Sequence, residues 1–362
     1  MLAEISVIMS AYNAESYLLE SITSILNQQG VDFELIIIND GSTDSTSSIL
    51  DQIEKKDKRV KIVNQENKGL AESLNLAISI SKGKYIARMD ADDIAHPNRL
   101  LVQLNFLNSF KDIDIVGSFV KAFGDSKVRT WKYPLNKSEC DVALLFLNPL
   151  AHPAVMFRKS VINNVGFYDL SYNYDQDYEL WARASHSHGI ANIPSNLLNY
   201  RIHKDQMGSI FSKSQRVESQ KRIQLSLLKI MGLNPSEEDM EIQLILSNAY
   251  RLEFEIECSG DLLEKISKWI KEIVKKNNTI KRYNDFALRH RLHTQYHALC
   301  LYSASLGLPV FSKYKDTAVY LQVNSFNLPL FISCFLKLGR KEHIAIYNRI
   351  NQFKGLMKHV FN

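Results

Sequence analysis

No stretch of this 362-residue chain reaches ~18 consecutive apolar residues, so no membrane-spanning helix is expected. Met1 to Ile8 lacks the basic start and long apolar core of a secretory signal, and reads instead as a first strand. Cysteine is scarce. Cys140, Cys258, Cys300 and Cys334 lie far apart and match no metal-ligand spacing, which points to reduced thiols of a cytosolic protein. Low-complexity tracts and internal repeats are absent. What is present is ordinary globular material, 45% hydrophobic and 23% charged, long enough for one large or two modest domains. The net charge of +5 is unevenly spread: acid outweighs base over residues 1–210, and base outweighs acid over 211–362.

The first part alternates two periodicities. Ile5 to Ser10 and Glu34 to Asn39 read as buried strands, each followed by a helical pattern, Ala14 to Gln28 and then Thr43-Asp44 to about Lys55. Val60 to Val63, Lys84 to Met89 and Ile113 to Phe123 continue the strands. Gly69 to Ser81 and Pro97 to Phe110 continue the helices. This βαβα order predicts a parallel sheet with helices on both faces. Residues 132–200 are mixed, with a strand over Ala154 to Phe157 and a short helix over Asp175 to Ala184. Beyond about residue 211 only helices are expected: 214–231, 236–258, 261–275, 283–306, 317–323 and 331–359. The boundary is expected near residues 204–214.

The most informative stretch is Arg88-Met89-Asp90-Ala91-Asp92-Asp93. Three carboxylates in four positions at a strand's end repel one another unless a cation sits among them. Mg²⁺ and Mn²⁺ take oxygen ligands and bridge carboxylates to substrate phosphates. The carboxyl end of a strand in an open α/β sheet is where ligands bind. The pattern therefore points to a metal–diphosphate site. The competing reading is a helix N-cap, with Asp92 or Asp93 capping the helix that Pro97 begins.

Further segments recur in a fixed order around this one. They are Ser6 to Asn13, Ile38-Asn39-Asp40-Gly41-Ser42-Thr43-Asp44, and Asn67-Lys68-Gly69-Leu70-Ala71 with Asn75. After the acidic stretch come His152-Pro153-Ala154-Val155-Met156-Phe157-Arg158, Asp175-Gln176-Asp177-Tyr178-Glu179-Leu180-Trp181, and Tyr200-Arg201-Ile202-His203. Together they resemble family 2 glycosyltransferases, in particular bacterial polysaccharide and O-antigen enzymes of the amylovoran type. The resemblance covers roughly the first 205 residues. It implies an α/β GT-A fold (Rossmann-like, mostly parallel) over 1–210, followed by an α-helical C-terminal domain over 211–362 for acceptor or membrane docking.

The resemblance also implies roles. Ala11, Tyr12 and Asn13 line the nucleotide pocket, where an aromatic ring can stack on a pyrimidine. Asp40 accepts the uracil imide proton, and Asn67 and Gly69 approach the nucleotide or ribose. Asp90 with Ala91 faces the ribose side, Asp92 holds Mn²⁺ or Mg²⁺, and His203 joins the metal or phosphates. Arg88 and Arg201 contact the diphosphate. Asp177 is the general base of an inverting transfer, Trp181 a platform for the acceptor sugar, and His152 a wall of the cleft. Each has a plainer alternative: a core tyrosine for Tyr12, turn residues for Asp40 and Asn67, a structural salt bridge for Arg88, a helix N-terminal charge for Asp177 and a core residue for Trp181. Two positions depart from the pattern. Ala11 stands where Pro or Val is usual, and Gln176 replaces a Glu, leaving Asp177 as the single carboxylate of that pair.

The expected activity is transfer of a hexose from a UDP-sugar to a hydroxyl of a lipid-linked saccharide, in the cytoplasm or at the inner face of the plasma membrane. A nucleotidyltransferase also clusters acids at a strand end, but Ser10-Ala11-Tyr12-Asn13 offers no glycine-rich phosphate cradle. A non-catalytic adaptor could use the basic helical part. No nucleic-acid motif is evident. For an anionic membrane, the apolar run Asn327 to Leu336, with Lys337, Arg340, Lys341, Arg349, Lys354 and Lys358 after it, is the candidate segment, against a plain core helix.

Overall fold

The structure, a computed structural model, describes residues 3–125, 127–204, 213–249, 259–323 and 327–338. The chain divides into two compact units, Met1–Ile223 and Gln224–Asn362. The boundary expected near residue 210 lies outside the described residues.

The first unit is built on a nine-stranded sheet. Four strands run parallel in the order β3 (Val60–Gln65), β2 (Phe33–Asp40), β1 (Ile5–Ala11) and β4 (Tyr85–Asp90). Between them run α1 (Leu18–Leu26), α2 (Thr46–Lys56) and α3 (Leu70–Ile80). Strands β1 and β2 are buried on both faces, which is why they read as unbroken apolar runs. Ile5, Val7 and Met9 share one core cluster with Leu18, Ile22 and Ile25 of α1. The pleat turns Ile8, Ile36 and Ile38 to the opposite face, where they are also buried.

Beyond β4 the sheet is mixed. It includes β5 (Ile94–Ala95), and after α4 (Arg99–Ser109) come β6 (Ile115–Gly124) and β7 (Arg129–Trp131). After α5 (Lys137–Leu144) follow β8 (Met156–Arg158), α6 (Lys159–Val165), α7 (Gln176–Ala184) and β9 (Ile190–Ile202). Strand β8 is antiparallel to both β4 and β6, and β9 runs parallel to β6. The expected strand over Ala154 to Phe157 starts later, because His152–Ala154 forms a 3₁₀ turn with Pro153 in it. Helix α4 begins at Arg99 after Asn98, so neither Asp92 nor Asp93 caps it. Four strand pairings are parallel and four antiparallel, so the sheet is mixed and not mostly parallel as expected; the expected order, an α/β sheet first and helices after it, holds.

Helix α8 (Lys213–Ile230) begins in the first unit and ends in the second. The second unit continues with α9 (Glu237–Ser247), α10 (Gly260–Ile280), α11 (Asp285–Tyr302), α12 (Leu308–Tyr320) and α13 (Leu328–Phe335). Helix α9 opens with a reciprocal cap between Ser236 and Asp239. In α10, Leu263, Ile266, Ile270, Ile273, Val274 and Asn277 recur every three or four positions and are buried. Helix α12 starts nine residues before the expected Thr317, because Pro309 sits in its first turn, where a missing N–H costs nothing. Leu330 and Cys334 of α13 are buried, whereas Phe335 and Leu336 are exposed beside Lys337. The helix expected over 331–359 is cut short, since α13 ends at Phe335 and Lys337 takes a left-handed φ of +51°; Arg340, Lys341, Arg349, Lys354 and Lys358 lie outside the described residues. Among the described residues no helix is long and apolar enough to cross a membrane.

Candidate active site

The register of the parallel strands decides what meets at their carboxyl ends. Ser10 lies opposite Asp90, Ala11 opposite Asn39, and Asp40 opposite Gln65. The ends of β1, β2 and β4 therefore deliver three sequence motifs to one rim.

Ala11 is buried, while the Tyr12 side chain stands 52% exposed beyond the strand. Asn13 takes a left-handed φ of +47° and ties two loops together. Its Oδ1 accepts from the Thr43 N–H at 2.8 Å, and its own N–H donates to Ser42 Oγ at 3.1 Å. Asp40 is 2% exposed and shapes the adjacent turn. It accepts from Gln65 Nε2 at 2.6 Å and from the Lys68 and Gly69 N–H groups, both at 2.9 Å. These bonds hold Asn67 and Gly69 in place, and Oδ2, with the Gly69 N–H as its one donor, keeps an acceptor position.

Gly41 is what lets that turn approach. Its φ is +75°, and a Cβ there would lie 2.6 Å from the Asn67 backbone nitrogen. Gly69 has φ +89° but open space around it. Gly41→Ala is therefore expected to destabilise the fold by about 2–4 kcal/mol, from strain plus clash, and Gly69→Ala by only about 1 kcal/mol, from strain alone. Urea unfolding of the two variants checks this. Equal losses would mean that the Gly41–Asn67 approach is unimportant.

Asp90, Asp92 and Asp93 bring carboxylate oxygens within 4.8 Å of one another. Three basic groups surround them. Arg88 is buried and ion-paired with Asp90, yet its Nε and Nη1 are buried without hydrogen-bond partners. Arg99, fully buried, donates to the Arg88 carbonyl at 2.6 Å, and its pKa is pulled down to about 9 by burial and the Arg88 charge. Arg201 donates its N–H to Asp93 at 2.8 Å and its Nε to the Asp92 carbonyl at 2.8 Å. Its guanidinium pairs with Glu20 and lies between the Tyr17 and Phe123 rings, at 4.5 and 4.7 Å. In this conformation aromatic packing and an acidic partner make Arg201 a brace for the acidic turn.

Electrostatics leave the cluster short of positive charge. Burial pushes Asp90 up to about 6 against the pull of Arg88, and the Asp92 and Asp177 charges add to the rise. Burial raises Asp93 well above the ordinary carboxylate range, and Asp90 and Asp92 push the same way. Asp93 Oδ2 is buried with no hydrogen-bond partner. An all-oxygen trio, one of its oxygens orphaned, fits a hard divalent cation. His203 Nε2 is 2.9 Å from Asp92 Oδ2, so the sequence-distant histidine does arrive at the cluster. Ala91 sits in the turn between β4 and Asp92, packed partly against the core.

Arg88 and Asp90 also line a cavity of about 240 Å³, with Trp131, Tyr133, His152 and Tyr200 among its other walls. The aromatic wall of Trp131, Tyr133 and Tyr200 was not foreseen, although Arg129-Thr130-Trp131-Lys132-Tyr133 alternates as a half-open strand would. Asp177 occupies the first turn of α7, after Asp175 in a left-handed conformation. Its Oδ2 accepts from Asn148 Nδ2 at 2.7 Å, and its Oδ1 from the Tyr178 N–H at 2.9 Å. Burial raises its pKa, and those hydrogen bonds and Arg88 only partly offset the rise. Asn148 was missed because nothing in its local sequence marks it. Of the rival carboxylates, Glu179 is tied to Arg183 by two hydrogen bonds, at 2.8 and 2.7 Å.

Trp181 corrects an expectation. It is fully buried, edge-on to Phe157 and His152, at 5.8 and 6.4 Å, and offers no face to an acceptor. An indole one turn inside a helix that packs on the sheet goes to the core.

Comparison with known proteins gives a consistent picture. The sequence profile of Glycosyl transferase family 2 matches residues 6–166. An uncharacterized glycosyltransferase of Haemophilus influenzae is 38% identical over 229 residues, covering 60% of this chain and 71% of that protein. The O-antigen biosynthesis glycosyltransferase WbnJ of Escherichia coli is 38% identical over 205 residues, covering 55% of this chain and 80% of WbnJ. Among solved structures, S. aureus TarS 1–349 in complex with UDP-GlcNAc is similar in fold, with a TM-score of 0.56 at 16% identity, covering 88% of this chain and 92% of that one.

Proposed function

This chain belongs to glycosyltransferase family 2 and is an enzyme of that class, and from that premise we propose that it moves a hexose from a UDP-sugar to a hydroxyl of a lipid-linked saccharide, with inversion, in surface polysaccharide synthesis. The observation that carries the proposal is the meeting of Asp90, Asp92 and Asp93 with Arg88 at the carboxyl end of β4, electrostatically coupled to Asp177. The O-antigen role of WbnJ and the UDP-GlcNAc bound to TarS agree with this chemistry.

In this reading the nucleotide lies over β1 and β2. Tyr12 stacks on the base, Ala11 and Asn13 shape its pocket, and the Asp40-held turn presents Asn67 and Gly69. Asp90 faces the ribose, and Arg88 turns its two unpaired N–H groups to the donor. Asp92, with His203, would hold Mn²⁺ or Mg²⁺, and the bound ion would supply positive charge for the diphosphate and the leaving nucleotide. Asp177 takes the proton from the acceptor hydroxyl as that oxygen attacks the anomeric carbon, and the bond to the UDP oxygen breaks on the opposite face. Residues 211–362 serve docking to the acceptor or an anionic membrane face. Exposed Phe335 and Leu336 beside Lys337 support this.

Screening UDP- and GDP-sugars for nucleotide release and transfer, with and without Mn²⁺, tests the donor assignment. Turnover of a UDP-sugar only with the ion is expected. Turnover confined to GDP-sugars would overturn the assignment.

A further inference from the structure

His152 opens the 3₁₀ turn before β8, and its Nε2 lies 2.8 Å from the Tyr168 hydroxyl. Two proton arrangements satisfy that distance. If Nε2 carried the proton, it would donate to the tyrosine oxygen, and the Tyr168 O–H would need an acceptor elsewhere. Tyr168 is 2% exposed, and among the described residues its hydroxyl has no second partner. A buried donor left without an acceptor is costly. If Tyr168 donates to Nε2 instead, both groups are satisfied, and the ring's one proton resides on Nδ1. Burial and the nearby Arg88 charge keep the imidazole neutral, and burial keeps the phenol protonated.

Tyr168 is itself fixed. Its N–H donates to Asn75 Oδ1 and its carbonyl accepts from Asn75 Nδ2, both at 2.9 Å. Asn75 thus grips one residue's backbone from both sides, across 93 positions of sequence. His152 Nδ1 has no partner among the described residues, and the ring lines the cavity walled by Trp131, Tyr133 and Tyr200. Aromatic faces beside one directed N–H donor suit a sugar ring, which offers C–H faces and hydroxyl oxygens.

We propose that His152 donates its Nδ1–H to a hydroxyl of the sugar ring in this cavity, and that Asn75 and Tyr168 are positioning residues that fix its tautomer. The identity of the ring as a sugar rests on the glycosyltransferase reading; the tautomer does not. ¹⁵N-histidine NMR of the full chain at neutral pH, with His152 assigned through His152→Gln, reads the tautomer directly. A protonated Nδ1 and a bare Nε2 are expected in the wild type, with that bias lost in Tyr168→Phe. Kinetically, Tyr168→Phe should raise one KM about tenfold, the value of one hydrogen bond, with a smaller change in kcat. A rise in the KM for the sugar nucleotide identifies the donor ring as the occupant; a rise in that for the acceptor identifies the acceptor ring. A wild-type His152 protonated on Nε2, or on both nitrogens, overturns the inference whatever the substrate. Unchanged KM for both substrates in a folded His152→Gln overturns the contact. An Nδ1–H tautomer in a protein that turns over no sugar nucleotide counts against the transferase reading alone.

Discussion

Asp92→Ala is expected to abolish transfer, by at least about 10³-fold, while the protein melts within a few degrees of the wild type. The two halves of this expectation come from the same carboxylate. Asp92 is only partly buried, and among its contacts is one hydrogen bond to His203. Its charge also raises the pKa of both Asp90 and Asp93, so its removal relieves repulsion in the protein without metal. Alanine therefore costs the fold little while it takes away one oxygen ligand of the proposed metal site. Asp93→Ala makes the contrast. Asp93 is buried and accepts the Arg201 N–H, so its loss should lower stability along with activity. Thermal melts of both variants, with transfer assays in Mn²⁺ and in excess EDTA, check the pair. Full turnover in EDTA would sink the metal requirement, and an unfolded Asp92→Ala would sink the claim that the residue is dispensable for the fold.

How far the sequence reveals this site depends on how local each feature is. The acidic turn is legible because three carboxylates fall within four positions. Strands β1 and β2 are legible because both their faces are buried, so their apolar runs are unbroken. Strand β9 is harder to read. Its centre, Pro194-Ser195-Asn196, is exposed where the pairing with β6 shifts register, so no alternation survives to mark it. Tyr200 and its neighbours therefore look like loop, although they run beside β6 and bring one wall of the cavity. Partners fixed by long-range hydrogen bonds are the least legible. Asn148 reaches Asp177 across 29 positions and Asn75 reaches Tyr168 across 93, and nothing near either asparagine announces it. Trp181 shows the converse. Its spacing from Asp177 puts both on one helix face, but spacing does not say how deep that face sits, and packing against Phe157 takes the indole into the core.

Asp177→Asn is expected to lower kcat by about 10²–10⁴-fold, with little change in UDP-sugar affinity. The amide keeps the carboxylate's size but cannot take a proton. Its structural cost is small and specific. Both groups that meet Asp177, the Asn148 amide and the Tyr178 N–H, are donors. An asparagine can satisfy one of them with its oxygen and must point its own NH₂ near the other. Asn148 cannot simply turn over to help, because its Oδ1 already accepts from the Leu150 N–H at 3.1 Å. The mismatch should cost about 1–2 kcal/mol, enough to lower the melting temperature without unfolding the protein. The pH profile carries the same assignment. A base works only when ionised, and burial raises the Asp177 pKa, so wild-type activity should fall with decreasing pH before the ordinary aspartate range is reached. The residual activity of Asp177→Asn should lack that limb. Near-normal kcat in Asp177→Asn, with loss instead in Asp175→Asn or Glu179→Gln, would move the base to another carboxylate. Glu179 enters that comparison at a disadvantage, held by Arg183 through both oxygens. The stereochemistry of the product decides the larger question. A single displacement driven by one base inverts the anomeric carbon, so NMR coupling constants that show the donor's own configuration in the product would overturn the mechanism itself.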